Sequence, residues 1–464
     1  MSGQTCSTDV VVLGGGPAGA ACALRLARLG HRVTLVERAP RGRPHVGESL
    51  PPTVLPLLAE LGLRERIEAA GFLRPRGALV QWDDAPHELN HDGPEPGFQV
   101  DRGHFDALLL EAAEAFGVNV LQPLGARAPR VDGDEVQVPL DDGRVLQASY
   151  VIDARGRRGA MNARAPATAA LYAYWRGVIG LGARTRVEAG DDAWYWGAPL
   201  PDGTFNATVF VDARRCAGLD PWQRRALYRE LIARSDLLGP SLDSAVCGPL
   251  QVCDATPRVD AEPISERLIK AGEAAFSIDP LSSQGVQAAL RSALQAAACV
   301  HTMARREGSQ ALVQRFYGEQ VERAASRHAR LAAGFHAAAA RHREHGFWQA
   351  RRGAAQAPAT RRASQPLPAL HERVRLDPAA GFECVPALDG AFIIEATAVM
   401  HPALEAPVSF IDGIPVANLL APLDTTPTVR ELLQLWRNDY GDTRAVSLLA
   451  SLWRQGIVAA APAR

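Results

Sequence analysis

Three glycines, Gly14, Gly16 and Gly19, and an acid, Glu37, have the types and spacing to hold a pyrophosphate and a ribose. Gly14 permits a tight turn, Gly16 lets the backbone approach the pyrophosphate, Gly19 lets a helix pack closely on a strand, and Glu37 can accept from a ribose 2′-OH. The phosphate charge then falls on a helix N-terminus, where free N–H groups and the dipole favour anions. Such positioning requires an apolar strand before the turn, a helix after it and a second strand ending at the acid. Residues 9 to 37, DVVVLGGGPAGAACALRLARLGHRVTLVE, supply these in order: a strand over Val10 to Leu13, an Ala- and Leu-rich helix, and a strand closing at Glu37. Glycine turns alone also serve plain helix–strand packing, so it is the whole unit that specifies dinucleotide binding. Ala18, in the first helical turn, and Arg38, after the acid, complete this end of the candidate site.

A chain of 464 residues predicts two or three domains. With 47% apolar residues and a formal charge of −1 it can bury a sizeable core and carries no overall signal for binding polyanions. There is no apolar run of membrane-spanning length, and MSGQTCSTD lacks the basic and apolar regions of a secretory signal, so a soluble, cytoplasmic protein is expected. Seven cysteines (Cys6, Cys22, Cys216, Cys247, Cys253, Cys299 and Cys384) lie scattered without a CxxC pair. That argues against zinc, iron–sulfur and disulfide frameworks, and no metal is expected.

Three further segments favour FAD over NAD. Residues 99 to 111, QVDRGHFDALLLE, put Arg102 and Asp106 at the start of an amphipathic helix; residues 149 to 159, SYVIDARGRRG, make a β-branched strand ending at Asp153, with Gly156 beyond. Residues 268 to 290, LIKAGEAAFSIDPLSSQGVQAAL, make a strand, a Gly272-Glu273 turn, an Asp279-Pro280-Leu281 run, and a long helix opened by Gly285. In this order and spacing they resemble the flavoprotein monooxygenases of the hydroxybenzoate hydroxylase superfamily. The resemblance implies an α/β fold: a Rossmann-type FAD-binding domain with an inserted β-rich substrate domain. It implies that Arg102 meets the FAD, that the turn acid holds the ribityl chain, and that Asp153, Pro280, Ser283, Gln284, Gly285 and Val286 belong to the flavin site. One departure is plain, because the family's turn acid is Asp and here it is Glu273, one methylene longer. A helix beginning near Gly285 would offer backbone N–H groups to the edge of the flavin where negative charge collects on reduction.

Two details narrow the branch. GESLPP (residues 47 to 52) precedes a helix expected over Val54 to Leu63, and residues 192 to 203 read DAWYWGAPLPDG. Both resemble the flavin-dependent tryptophan halogenases, which implies that Glu48 and Ser49 lie beside the flavin. Trp194, Trp196 and Pro199 match the halogenase Trp-x-Trp-x-Ile-Pro segment, with Ala198 for Ile. Residues i and i+2 share one face of a strand, so core packing explains the two tryptophans as well.

Halogenase chemistry fails on the residues. Halogenases use a lysine to guide hypohalous acid, but this chain has one lysine, Lys270, beside the flavin turn; FLRPRGALVQW offers only Arg74 and Arg76. A guanidinium stays protonated and cannot act as a neutral amine. The halogenase loop Asp-Pro-Leu-Glu-Ser-Thr-Gly has become Asp279-Pro280-Leu281-Ser282-Ser283-Gln284-Gly285, losing both reactive side chains. Direct oxygen transfer, giving hydroxylation, is the expectation. SIDPLSSQG, GESLPP and the C-terminal extension are together similar to LodB-like proteins and to the monooxygenases of quinohaemoprotein amine dehydrogenase biogenesis. That resemblance implies a tryptophan in a protein or peptide as substrate, on the way to a tryptophylquinone, with O2 as co-substrate and NAD(P)H or a separate reductase as electron source. Glu48, Trp194, Trp196 and Gln284 are the candidates near the reacting centre, and no base is assigned.

The expected organisation is a FAD domain over residues 1–166 and 266–305, a substrate domain over 167–265, a helical arm and linker over 306–370, and a small domain over 371–464. In the substrate domain LYAYWRGVIGL and FNATVFVDA read as strands and Pro221 to Ala233 as a helix capped by Asp220. Tyr172, Tyr174 and Trp175 line either an aromatic pocket or its core. Residues 309 to 345 read as one Ala- and Arg-rich helix whose histidines, His328, His336, His342 and His345, lie on a solvated face; APATRRASQPLP (357 to 368) is a linker. The last domain, with three helices (Val416 to Pro422, Thr428 to Tyr440, Thr443 to Gln455) and small strands, is winged-helix-like. It holds five arginines and ten acids from Asp377 onward, net −5, which excludes nucleic acid; residues 304 to 375 hold fourteen arginines and five acids, net +9. It resembles the small peptide-binding domains of ribosomal-peptide modification systems, and a structural cap is the alternative. A small-molecule hydroxylase or halogenase of secondary metabolism, and a flavin-bearing peptide chaperone without turnover, are the rival functions.

Overall fold

The structure, a computed structural model, describes residues 5–462 except 76, 84, 91–94, 158–160, 181, 183, 244 and 353–365. Arg76 and most of the linker therefore lie outside the described residues. The chain divides into two compact units, Met1–Arg305 with Tyr317–Ala355, and Arg306–Phe316 with Gln356–Arg464. The expected arm and linker over 306–370 is shared between the two units.

The first unit is built on a mixed sheet whose central strands run parallel and whose edge, Glu135–Pro139 and Arg130–Asp132, is antiparallel. Strand Thr5–Leu13 lies between Val33–Val36 and Val145–Asp153; Asn119–Leu121 extends one side, and Leu268–Lys270 pairs in parallel with Val145–Asp153. Val10 to Leu13 are fully buried, as a parallel strand covered on both faces must be, which is why the run is apolar without alternation. Helix Pro17–Arg28 packs on helix Gly285–Arg305 through buried small residues, among them Ala20, Ala21, Ala23, Ala293, Ala296 and Ala297, so two helices distant in sequence meet closely above the first glycine turn.

A second, eight-stranded sheet carries Thr168–Arg176, Phe205–Asp212, Ala193–Pro199 and Thr185–Ala189 at its centre. Gly77–Gln81 and His87–Asn90, assigned to the nucleotide domain on sequence grounds, add to its edge instead. Alternation gives the sheet two different faces. Leu171, Ala173, Trp175, Ala207 and Val209 point to helix Pro221–Ala233 and pack on Tyr228, Leu231 and Ile232. That helix opens with the expected Asp220 cap, in a reciprocal box with Gln223. The opposite face carries Trp194, Trp196 and Phe210, covered by Phe347 and Trp348.

That cover corrects the expected single helix over 309 to 345. The helix runs Gln310–Ala338, followed by a turn at Ala340–His342 and a short helix Gly346–Arg351. RHREHG contributes nothing apolar, and the chain reverses there so that Phe347 and Trp348 can be buried against the sheet. The expected helix over Val54 to Leu63 is likewise shorter, Leu55–Glu60, with a separate turn of helix at Arg64–Glu68.

The second unit has its own core of Val374, Val416, Leu419, Leu432, Leu433, Trp436, Leu448, Leu452 and Val458. Helices Val416–Leu420, Val429–Tyr440 and Asp442–Arg454 surround it, with a hairpin of Gly381–Asp389 and Phe392–Met400. Strand Val374–Leu376 pairs with Val458–Ala460, so the unit closes its first described strand against its last. Among the described residues no helix is long and apolar enough to cross a membrane.

Candidate active site

At the first glycine turn the three glycines have separable reasons. Gly14 has φ +102°, and a Cβ there would stand 2.5 Å from the Ala154 carbonyl oxygen; at Gly19 a Cβ would stand 1.8 Å from the Gly14 oxygen. A Cβ on Gly16 would meet nothing within 4 Å. Packing within the protein demands the first two, whereas Gly16 borders open space at the start of helix Pro17–Arg28, whose first turn has no side-chain cap. Glu37 closes the turn from the side, its Oε2 accepting from Gly15 N at 2.6 Å and its Oε1 from Ala39 N at 2.6 Å. Ala18 is buried beside Gly272, and Arg38 is exposed. An open face backed by uncapped N–H groups fits the pyrophosphate of FAD.

Two acids follow, each already held by an arginine. Asp153, at the end of its strand opposite Leu13, accepts from Arg155 Nε at 3.0 Å and Nη2 at 2.7 Å. Glu273, in the turn Gly272–Ala274, accepts from Arg157 Nη2 at 2.9 Å. Neither arginine was singled out from sequence, although both sit in the DARGR stretch. Arg102 is buried, paired with Asp106 by two hydrogen bonds of 3.0 Å, and donates through Nη1 to the Val46 carbonyl at 2.9 Å. It fastens the loop that carries Gly47, whose φ of +108° turns the chain beside the guanidinium.

That loop delivers Glu48 to the polar part of the sheet. Glu48 is 1% exposed; its Oε1 accepts from Tyr174 OH at 2.8 Å and from Asn206 Nδ2 at 2.8 Å, and its Oε2 from Gly47 N at 2.8 Å. Thr208 donates to Asn206 Oδ1 at 2.9 Å, extending the chain of bonds. Burial, and then the Glu48 charge, push the Tyr174 hydroxyl well above the ordinary tyrosine range, so it stays a neutral donor; Tyr172, 6.1 Å away ring to ring, is pushed up to about 12, chiefly by burial. Asn206 and Thr208 escaped sequence reading. Their only signal was two polar residues at i and i+2 in an otherwise apolar strand. Ser49 pairs with Gln99 in a two-stranded bridge next to this cluster. Glu48→Ala should destabilise the protein by roughly 1–3 kcal/mol for each of the two side-chain donors it orphans. Urea unfolding measures this, and a loss below about 1 kcal/mol would mean that water replaces the carboxylate.

The loop of Asp279 to Gly285 stands opposite in chain order. Asp279 Oδ1 accepts from Leu281 N at 3.0 Å and caps the turn Pro280–Ser282; Ser283 takes a left-handed conformation, φ +51°; Gly285 then opens its helix with Val286 buried. Ser282 Oγ is enclosed with no partner among the described residues, and Gln284 is half-buried. Trp194 and Trp196 lie in the core cluster, Trp194 stacked on Phe210 at 3.7 Å and 9°. The expected solvated face of histidines is corrected: His336 is 3% exposed with Nε2 3.1 Å from Asp279 Oδ2, and His342 pairs with Asp191 at 3.2 Å. The abundance of charge along this helix masks one face, the one bearing His336, which the fold buries. Lys270, the only lysine, is in an ion pair with Asp260 at 2.7 Å.

The FAD binding domain family matches residues 7–236. A tryptophan 2-halogenase of Chondromyces crocatus is 31% identical over 379 residues, covering 74% of this chain and 70% of that protein. The solved structure of QhpG, a peptidyl tryptophan dihydroxylase essential for tryptophylquinone cofactor biogenesis, is 28% identical, with a TM-score of 0.73 over 97% of this chain and 100% of that one. The flavin-dependent halogenase CmlS, at 21% identity and TM-score 0.80, shares the fold over 99% of this chain. These relatives are enzymes, which removes the reading of a flavin-bearing chaperone without turnover. The chain belongs to the flavin-dependent halogenase and monooxygenase superfamily and is an FAD-dependent oxidoreductase.

Proposed function

We propose that this enzyme hydroxylates the indole of a tryptophan within a protein or peptide, in the biogenesis of a tryptophylquinone. The observation that carries the choice of oxygen over halogen is the loop Ser282-Ser283-Gln284 together with a single lysine tied to Asp260. Reduced FAD, supplied with electrons by NAD(P)H or a separate reductase, would activate O2 there. Gly14, Gly16, Gly19 and Glu37 would hold its adenosine diphosphate half, and Glu273 and the Asp279–Gly285 loop its flavin half. Ser282 Oγ, enclosed and without a partner among the described residues, would hydrogen-bond a bound group. Glu48 is buried and accepts from three donors, so it orients Tyr174 and Asn206 and is not a free base.

The peptidyl tryptophan dihydroxylase supports this substrate class over nearly the whole chain, including the second unit. The net charge of −5 from Asp377 onward suits a basic partner surface. A second reading, halogenation of tryptophan, is favoured by the 31% identity to the tryptophan 2-halogenase. Mass spectrometry separates the two. Tryptophan-containing peptides and the candidate partner protein are incubated with reduced enzyme, isotope-labelled O2 and bromide. Labelled oxygen in the product and no bromine is the expected result; a brominated indole would overturn the loop argument.

A further inference from the structure

We infer that His336 is a positioning residue for the flavin loop, holding Asp279 to Gly285 in the shape in which the cofactor and substrate meet. His336 lies in the last turn of helix Gln310–Ala338, 57 residues away in sequence from the aspartate it contacts. Phe347 and Trp348 pack against its ring, with centroids 6.5 Å and 5.7 Å away. Its Nε2 meets Asp279 Oδ2 at 3.1 Å, while its Nδ1 is buried without a partner among the described residues. A buried polar atom left unpaired is costly and calls for a compensating reason. The reason here is the other nitrogen.

Asp279 is itself nearly buried, and its two oxygens serve different partners. Oδ1 caps the turn through Leu281 N, and Oδ2 receives His336. Without the imidazole, Oδ2 would be a buried carboxylate oxygen with no donor. The aspartate would then turn toward water and release the cap. Downstream, Ser283 occupies a left-handed conformation that a non-glycine residue keeps only where its surroundings enforce it. Three features therefore depend on one contact: the capped turn, the strained serine and the opening of the Gly285 helix. With Asp279 as acceptor, the imidazole carries its proton on Nε2, and Asp279 and the aromatic rings fix its orientation. His336 touches neither reacting atom in this arrangement and acts through the aspartate.

His336→Leu, His336→Gln and Asp279→Asn test this, since a glutamine amide can donate from a position close to that of Nε2. In the apoprotein, hydrogen exchange of the amides at 281–284 should rise about tenfold in His336→Leu and in Asp279→Asn, and stay near wild type in His336→Gln. In the holoenzyme FAD should still bind, since the first glycine turn that holds its adenosine diphosphate half is intact, and His336→Leu and Asp279→Asn lose only the part of the affinity that the loop contributes. Product formed per O2 consumed should fall at least about fivefold in His336→Leu, the electrons appearing as hydrogen peroxide, and return in His336→Gln. Wild-type exchange in a folded His336→Leu protein overturns the proposal. Faster exchange with unchanged product per O2 also overturns it, leaving the histidine a merely structural role. The exchange measurement needs no substrate, so an enzyme that proves not to oxidise tryptophan would leave it standing.

Discussion

Gly16→Val should fold like the wild type and lose FAD. A Cβ at this position meets nothing within 4 Å, and its backbone, φ −73° and ψ −175°, suits any residue, so the first atom of the new side chain burdens no contact in the protein. The added methyls instead occupy the open face at the start of helix Pro17–Arg28, where a pyrophosphate must come within hydrogen-bonding range of backbone N–H groups. A loss of flavin affinity of at least about 100-fold, or some 2.7 kcal/mol, is expected. Gly14→Val should lose FAD for a different reason: its side chain collides with the Ala154 backbone at 2.5 Å and its φ of +102° is strained for valine, so the protein melts earlier as well. Flavin fluorescence titration with a thermal melt of the apoprotein separates the two effects. Unchanged affinity in Gly16→Val would mean that FAD enters elsewhere, and would remove the basis for the proposed chemistry.

Truncation after residue 365 is the second large effect expected. Because Val374–Leu376 pairs with Val458–Ala460, a cut at Asp377 would leave a strand without its partner, and the whole of the second core must go together. The glycine turn, Glu37, Glu273 and the 279–285 loop all precede the cut, so FAD binding and reduction by dithionite should persist. Oxidation of a protein-bound tryptophan should fall by at least about 100-fold in kcat/KM, while any turnover of free tryptophan is unaffected. The acid excess predicts that the association weakens with salt, since exposed charges are screened over about 8 Å at physiological ionic strength. Full oxidation of the partner by the truncated enzyme would reduce the second unit to a structural cap. Salt-independent association would remove only the charge argument.

Features that depend on neighbours along the chain were legible in the residues alone. The strand, glycine turn, helix and second strand of residues 9 to 37 follow from apolar runs and from φ values that only glycine takes readily, and all of these are local. The Asp220 cap and the three C-terminal helices were legible for the same reason, a side chain or apolar period within one or two turns. Two tryptophans at i and i+2 could be assigned to one strand face, but which layer that face meets was open. Long-range packing settled it by reversing the chain at residues 340 to 345 so that Trp348 and Phe347 cover Trp194 and Phe210. The same packing sets every contact that makes the site specific: Glu48 with Tyr174 and Asn206, Arg157 with Glu273, His336 with Asp279, and Lys270 with Asp260. His336 has the same side chain as His328, His342 and His345 and lies in the same Arg-rich stretch as they do. Its burial to 3% exposure against Asp279, Phe347 and Trp348 sets it apart, because which of several identical groups loses its water depends on packing between elements distant in sequence, and no periodicity along one helix encodes that.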